Sequence, residues 1–503
     1  MTPPHPVEVE LKLALPPDQA ALFLKLMARR RSVPVQQNLI TRYYDTPDFA
    51  LSAQGIALRV RKAGRRWLQT LKTEGERQGG LSRRAEYEMV IPNGKLDWSR
   101  FPAAAQALVS AALRTQLIPV FETHFTRTAW LVGGHGKAEI EVALDVGEVR
   151  AGKRRQPICE IELELKAGNP DALFVLAEGW GGQLDYLPLD MSKAERGVKL
   201  ARGEAAAPMK SAPLALRDDM RVEEGFAAIV QSGLAQFQSN LPGVLASGDI
   251  EYVHQARVAL RRLRAALHLF RRACVLPEAL LEPLHVMAAA LGPARDWDVL
   301  CCVTLPAIAP HCADEDSWLT GLRVLEARRA EVRTAMLAEI LNARPGGWLL
   351  ALQRWLMQQA WRDVSESRRK VELLSLKKWA RRKLRQNHQQ ITRKARAYKA
   401  MGPAERHALR IGIKRQRYTA EFFRDLFVAR CGARYQAALQ DVQESLGRIN
   451  DCRVAGRLLT QAGAELGSMG DFSRGWLAAC RAGDDKKGIK KQLKNFVKCG
   501  ACW

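Results

Sequence analysis

Residues 7–13 alternate strictly between apolar and ionic side chains, with Val7, Val9, Leu11 and Leu13 on one side and Glu8, Glu10 and Lys12 on the other. Period two is the signature of a strand. The alternation returns in Leu58-Arg59-Val60-Arg61, in Trp67 to Lys72, in Arg84 to Val90, in Glu139 to Asp145 and in Glu160 to Lys166. Each of these segments has one apolar and one ionic face. If the apolar faces are covered by helices and the sheet closes on itself, the ionic faces converge on a lumen filled with both signs of charge. Burying unpaired charges costs several kcal/mol each, so such a lumen needs a ligand that answers both signs.

Glu8 with Glu10, and Glu160-x-Glu162-x-Glu164, set like charges side by side on one strand face. Their mutual repulsion calls for a cation between them. A triphosphate with its divalent cations meets the need. Arg59, Arg61, Lys72, Arg127 and Lys193 can bind phosphoryl oxygens, the arginines through bidentate forks. Glu8, Glu10, Glu160 and Glu162 offer hard oxygen ligands for Mg²⁺ or Mn²⁺. Glu164 can replace Glu160 in the register, and the alternation leaves that choice open.

Helices are expected at Asp18 to Arg30 and at Ala103 to Leu113, giving the first two hundred residues an α+β character. After an aperiodic stretch rich in Ala, Pro and Ser at 201–217 the strand pattern ends, and helical periodicity continues almost to the end of the chain. Trp348 to Trp361 reads as an amphipathic core helix. At 503 residues the chain is too long for one ordinary core. The organisation expected is a barrel domain at 1–203, a linker at 204–217, a helical domain at 218–483 and a basic tail at 484–503. The net charge of +25 is unevenly placed, +5 in residues 1–200 and +20 in 201–503. The second part is therefore the one that attracts polyanions.

That part also repeats itself. His254-x2-Arg257-x3-Arg261-Arg262-x-Arg264 recurs as His407-x2-Arg410-x3-Lys414-Arg415-x-Arg417, and Leu291-Gly292-x2-Arg295-Asp296-x2-Val299 as Leu446-Gly447-x2-Asn450-Asp451-x2-Val454. Two elements repeated in the same order imply a duplicated helical bundle. On a helix, His254, Arg257, Arg261 and Arg264 fall within a stripe about 80° wide, and His407, Arg410, Lys414 and Arg417 do likewise. Two such ridges at pseudo-equivalent positions can line one groove for a linear polyanion.

The opening MTPPHPVEVELKL lacks the basic and apolar regions of a secretory signal. No run of about 18 apolar residues predicts a membrane span. Ten cysteines then read as reduced thiols of a cytoplasmic protein. Cys499-Gly-Ala-Cys502 stands alone, without the second pair a zinc site needs, and reads as a frayed tail.

The ordered motifs Glu8-x-Glu10-x-Lys12, Tyr43-Tyr44-Asp45-Thr46, Arg59-x-Arg61, Thr70-Leu71-Lys72, Arg84-x-Glu86-x-Glu88, Glu160-x-Glu162 and Ser192-Lys193-Ala194 resemble the CYTH, or triphosphate-tunnel, family over residues 5–200. The resemblance implies an eight-stranded antiparallel β-barrel with flanking helices that binds a triphosphate with metal. It puts Glu8, Glu10, Glu160 and Glu162 at the metals, the basic residues on the phosphates, and Glu10, Lys12, Glu86 and Glu88 in catalytic roles. The His254 and His407 segments resemble the CHAD domain over 218–460, which implies an all-α domain of two antiparallel helical bundles, binding of inorganic polyphosphate, and a place at polyphosphate granules.

The function expected is hydrolysis of inorganic triphosphate to diphosphate and phosphate with Mg²⁺ or Mn²⁺, beside a polyphosphate-binding domain. The alternatives are a polyphosphate scaffold without turnover, or a hydrolase of thiamine triphosphate or a nucleoside triphosphate. Nucleic-acid binding ranks last, because no aromatic interleaving or base-reading module accompanies the charge. Neither the preferred metal nor the oligomeric state is legible.

Overall fold

The computed structural model describes residues 7–30, 32–362, 366–427, 429–499 and 503. It divides into two compact units, Met1–Ala207 with Arg344–Gln358, and Pro208–Ala343 with Gln359–Trp503.

The first unit is built on β1 (Val7–Ala14), β2 (Val35–Asp45), β3 (Ala57–Ala63), β4 (Arg66–Lys72), β5 (Glu76–Gln78), β6 (Leu81–Ile91), β7 (Ile118–Gly133), β8 (Glu139–Ala151), β9 (Arg154–Ala167) and β10 (Leu187–Pro188). Eight of them run β1-β9-β8-β7-β2-β3-β4-β6 around an antiparallel barrel, closed where β6 pairs with β1 from Val7↔Ala85 to Leu11↔Leu81. Short β5 and β10 hang on its rim.

The closure turns the usual arrangement inside out. Leu11, Leu13, Ile140, Val142 and Leu163 face outward and pack under α1 (Ala20–Ala28) and α2 (Asp171–Glu178), with Phe23, Trp130 and Trp180 locked edge to face. On the opposite flank Leu58, Leu71 and Tyr87 pack against Phe101, Ala105 and Val109. The helix expected over Ala103 to Leu113 is two short pieces, Ala103–Ala107 and Ala111–Arg114. Ser110 breaks it by capping the second piece through Leu113 N.

Strands β2 and β7 escaped the alternation because their inward positions are largely neutral: Leu39, Thr41 and Tyr43, and Phe121, Thr123 and Phe125. These residues form the apolar end of the lumen, which α3 (Lys193–Arg202) stoppers with Ala194, Val198 and Leu200. Gly197 permits the approach, since a Cβ there would lie 2.0 Å from the Phe121 ring.

The unit is completed by a segment remote in sequence. The Pro345–Met357 helix starts with Pro345 in its first turn and seats Gly346 where a Cβ would come 1.8 Å from the Tyr186 carbonyl oxygen. Leu350 enters the core of α1 and α2 with no exposure. Arg354 forks onto Asp171 at 2.7 and 2.9 Å and reaches Glu178 at 3.1 Å.

After Gly203 caps α3 with a φ of 71°, residues 204–216 adopt no regular structure. The second unit is then helical: α4 (Val222–Ala246), α5 (Ile250–Phe270), α6 (Glu278–Val299), α7 (Glu315–Asn342), α8 (Leu376–Arg396), α9 (Pro403–Phe422), α10 (Ala429–Ala462) and α11 (Gly467–Cys499). Successive helices pack against one another within α4–α7 and within α8–α11, and α5 packs against α9. Helix α11 runs through Cys499, and Gly500, Ala501 and Cys502, where a frayed tail is expected, lie outside the described residues. No helix among the described residues is long and apolar enough to cross a membrane.

Candidate active site

Because inward positions recur every second residue, the strands deliver seven carboxylates and seven cations to one cavity of about 450 Å³, and a helix adds an eighth cation. Glu8, Glu10 and Lys12 come from β1, Arg59 and Arg61 from β3, Lys72 from β4, Arg84, Glu86 and Glu88 from β6, Arg127 from β7, and Glu162 and Glu164 from β9. Lys193 enters from the first turn of α3, where Ser192 and Glu195 form a capping box that sets its direction. A cation at a helix N-terminus opposes the helix dipole. Here Asp145 at 2.6 Å, Glu162 at 2.8 Å and Glu160 more than compensate, and they hold the Lys193 ammonium well above its ordinary pKa despite burial.

The charges form a paired lattice. Glu8 accepts from Lys72 at 2.8 Å and from Arg84 at 2.9 Å, which outweigh burial and hold its carboxyl far below the ordinary range. Glu10 meets Lys12 at 2.8 Å and Arg84 at 3.4 Å. Burial, with Glu162 and Glu8 nearby, nevertheless pushes the Glu10 carboxyl up to about 7. Glu86 braces Lys72 at 3.0 Å and Arg59 at 3.5 Å, and Glu88 lies 3.8 Å from Arg59. Arg127 forks onto Asp145 at 2.8 and 2.7 Å and also meets Glu162.

Arg61 is the exception. It donates to Thr41 at 3.0 Å and lies 5.7 Å from the Phe125 ring centroid, but no carboxylate among the described residues pairs with it. Burial, then Arg59 and Arg127, depress its guanidinium to about 10. A buried cation crowded by other cations is a place prepared for an anion.

The strand register separates the two glutamates that alternation left open. Glu164 lies opposite Glu10, and Lys12 opposite Glu162, whereas Glu160 lies opposite Ala14. Glu164 therefore lines the cavity, while Glu160, with no exposure, sits beneath it bound by Lys193 and Arg196. Oxygens of Asp145, Glu160 and Glu162 lie within 4.8 Å of one another, so this acidic cluster could hold a metal ion. Lys193, Arg127 and Arg196 already neutralise it. Glu8, Glu10, Glu162 and Glu164 face the open cavity and are hard-oxygen donors as well. The raised Glu10 carboxyl fits such a set, because a cation would relieve the repulsion there.

In the second unit the repeated helices α5 and α9 bring their basic stripes together. Arg261 donates to the Tyr418 hydroxyl at 2.7 Å, and Arg262 pairs with Glu421. Arg417 stacks on Tyr418 with 4.6 Å to the ring centroid, and is held by Gln443 at 2.8 Å and Glu421 at 3.3 Å. Burial, then Arg261, Arg410 and Arg257, depress Lys414 to about 7. Burial, then Arg295, lower His254. Arg257, Arg261, Arg410 and Lys414 thus form one crowded cation cluster beside His254, while Arg264 and His407 are exposed. Arg295 and Asp296, from the second repeated motif, face this cluster, as does Asp451.

Comparison with known proteins matches this architecture. Residues 7–198 match the CYTH domain family and residues 228–460 the CHAD domain family. The chain is a CYTH domain followed by a CHAD domain. An inorganic triphosphatase of Haemophilus influenzae is 38% identical over 200 residues, which cover 38% of this chain and 54% of that protein. The match therefore spans about half the length of this curated relative. The crystal structure of the CHAD domain from the plant Ricinus communis is 30% identical, with a TM-score of 0.52, and the likeness covers 59% of this chain and 99% of that one.

Within the CYTH domain Arg84, Glu141, Asp145 and Lys166 lie in segments read as ionic-faced strands but had no site role in the sequence, and Arg196 was not singled out at all. Arg84 shares the face of Glu86 and Glu88, and Asp145 that of Glu141, so alternation carried a signal for both. Arg196 is one helical turn beyond Lys193 and carried none. In the CHAD domain Arg295 was visible only as a repeated position without a role.

Proposed function

We propose that the CYTH domain hydrolyses inorganic triphosphate to diphosphate and phosphate with Mg²⁺ or Mn²⁺, and that the CHAD domain binds inorganic polyphosphate. The observation that carries the first part is the charge balance of the lumen. Seven carboxylates and eight cations line it, and adding the buried Asp145, Glu160 and Arg196 makes nine of each. A neutral lumen accepts a polyanion most readily when divalent cations enter with it.

Glu8, Glu10 and Glu162, with Glu164 opposite Glu10, would hold the metal. When bound, it would offset charge on the phosphate oxygens and position water. Arg59, Arg61, Arg127, Lys72 and Lys193 bind the phosphoryl oxygens, their direction kept by Glu86, Glu88, Asp145 and Glu162. Lys12, buried beside Glu10, adds a cation to the same wall. Because these donors are held before the ligand arrives, charge developing on the leaving diphosphate meets oriented partners. Kinship to an inorganic triphosphatase supports this substrate over thiamine or nucleoside triphosphates.

Phosphate release from tripolyphosphate with Mg²⁺ and with Mn²⁺ tests the proposal. Glu10→Ala and Lys12→Ala should each lower turnover by at least a hundredfold, which at about 1.4 kcal/mol per tenfold is the loss of one strong charged contact. Undiminished turnover would refute the site. For the CHAD domain, Arg257→Ala with Arg410→Ala should weaken binding of long polyphosphate and flatten its salt dependence; unchanged binding would refute that half.

A further inference from the structure

One aromatic ring lies among three of the lumen cations. Phe125 points inward from β7, 5% exposed, with Leu39 opposite it on β2 and Gly147 opposite it on β8. A Cβ at Gly147 would lie 2.5 Å from the Phe125 Cβ, so only a bare backbone there leaves the side chain its place. Over the ring stand Lys193 from α3 at 5.0 Å from the centroid, Arg61 from β3 at 5.7 Å, and Arg127 from β7 itself at 5.9 Å. All three lie within the distance at which an aromatic face attracts a cation.

Lys193 and Arg127 are also held by Asp145 and Glu162. Arg61 has no carboxylate partner among the described residues; its Nε donates to the neutral Thr41 hydroxyl at 3.0 Å. Arg59 and Arg127 meanwhile repel it. The Phe125 face thus gives Arg61 the attraction that carboxylates give the other two. The physical difference lies in what remains afterwards. A carboxylate cancels the charge it holds, whereas a ring attracts through its quadrupole and carries no net charge to cancel anything.

We propose that Phe125 is a positioning residue for substrate, its ring holding the Arg61 guanidinium oriented and uncancelled at the apolar end of the lumen for a phosphoryl oxygen. The inference rests on the lumen holding a phosphate chain, as proposed above. When the pull of the ring is weakened, repulsion from Arg59 and Arg127 turns Arg61 away. The ligand must then draw it back, and affinity falls by the work of ordering it.

Fluorine withdraws electron density from the face of a ring while leaving its size nearly unchanged. The full-length protein is therefore made with mono-, di- and trifluorophenylalanine at position 125, and calorimetry with the non-hydrolysable imido analogue of triphosphate and Mg²⁺ reads the affinity. Affinity should fall at each step, to about tenfold for the trifluoro ring, roughly the effect of weakening one desolvated contact between a cation and a ring. Affinities within about twofold of wild type across the series belong to a ring that only packs, and overturn the proposal. The series is repeated with Arg61→Gln, where its slope should vanish. An undiminished slope there also overturns the proposal, because the effect would then run through Lys193 or Arg127. Phe125→Leu, which keeps an apolar side chain and removes the ring, should lower affinity by at least about tenfold; retained affinity would again overturn it. Phosphate release from tripolyphosphate with Mg²⁺ is followed in parallel. If wild-type protein binds the analogue but releases no phosphate, the hydrolytic reading fails while the fluorinated series still decides Phe125. Failure of the wild type to bind the analogue overturns both.

Discussion

Replacing Glu10 by Gln should stabilise the ligand-free protein at alkaline pH while disabling its site. Glu10 is 4% exposed and lies between Glu8 on its own strand and Glu162 on β9. Burial, then Glu162, raise its carboxyl from 4.5 to about 7, against the opposing pull of Lys12. A carboxyl whose folded pKa is raised binds more protons in the folded state than in the unfolded one between those two values. Stability therefore falls as pH rises from 4.5 to 7, and above 7 the ionised carboxylate costs the fold about 3 kcal/mol relative to acid conditions. Gln removes that cost but leaves Lys12 and Arg84 short of a partner, so a gain of about 1–2 kcal/mol is expected at pH 8. For a unit of this size that is roughly 3–8 °C in melting temperature. The assay is thermal unfolding of metal-free wild type and Glu10→Gln at pH 5 and pH 8, repeated with tripolyphosphate and Mg²⁺. The variant should melt higher at pH 8, converge with wild type at pH 5, and lose most of the ligand-induced shift. Equal or lower stability at pH 8, or the same offset at both pH values, would refute the account of crowded carboxylates awaiting a cation.

Leu350→Ala should destabilise the CYTH unit by about 2–5 kcal/mol, because the side chain has no exposure and truncation leaves a cavity among α1 and α2; calorimetric unfolding that leaves the barrel transition in place would contradict the assignment of the Pro345–Met357 helix to that unit. Lys414, depressed to about 7 by burial and its arginine neighbours, should regain its proton when polyphosphate binds. Affinity should then decline as pH rises above 7, with proton uptake seen by calorimetry in buffers of different ionisation enthalpy, and Lys414→Arg should abolish the uptake while keeping the binding.

Much of the site was legible before any coordinates. Period two placed Glu8, Glu10 and Lys12 on one face, and Arg59 with Arg61 on another, because a pleated strand has no other way to arrange them. Helical periodicity placed His254, Arg257 and Arg261 on one stripe for the same kind of reason. The neutral inward residues of β2 and β7 broke the pattern, so alternation marked neither strand, and Tyr43 was visible only within the motif Tyr43-Tyr44-Asp45-Thr46.

Spacing along a chain determines which side of an element a residue takes, and that much was decided locally for the ionic strands and for the repeated basic helices. The height of one strand against the next is a tertiary matter. Only the pairing of β1 with β9 set Glu164 opposite Glu10 and sank Glu160 beneath Lys193 and Arg196. The same holds for the Pro345–Met357 helix, whose apolar face carries no address: close packing at Gly346, burial of Leu350 and the fork of Arg354 on Asp171 decide that it completes the barrel. Burial energy is nearly indifferent to partner, whereas steric fit and charge pairing are not, and those exist only once the chain has folded.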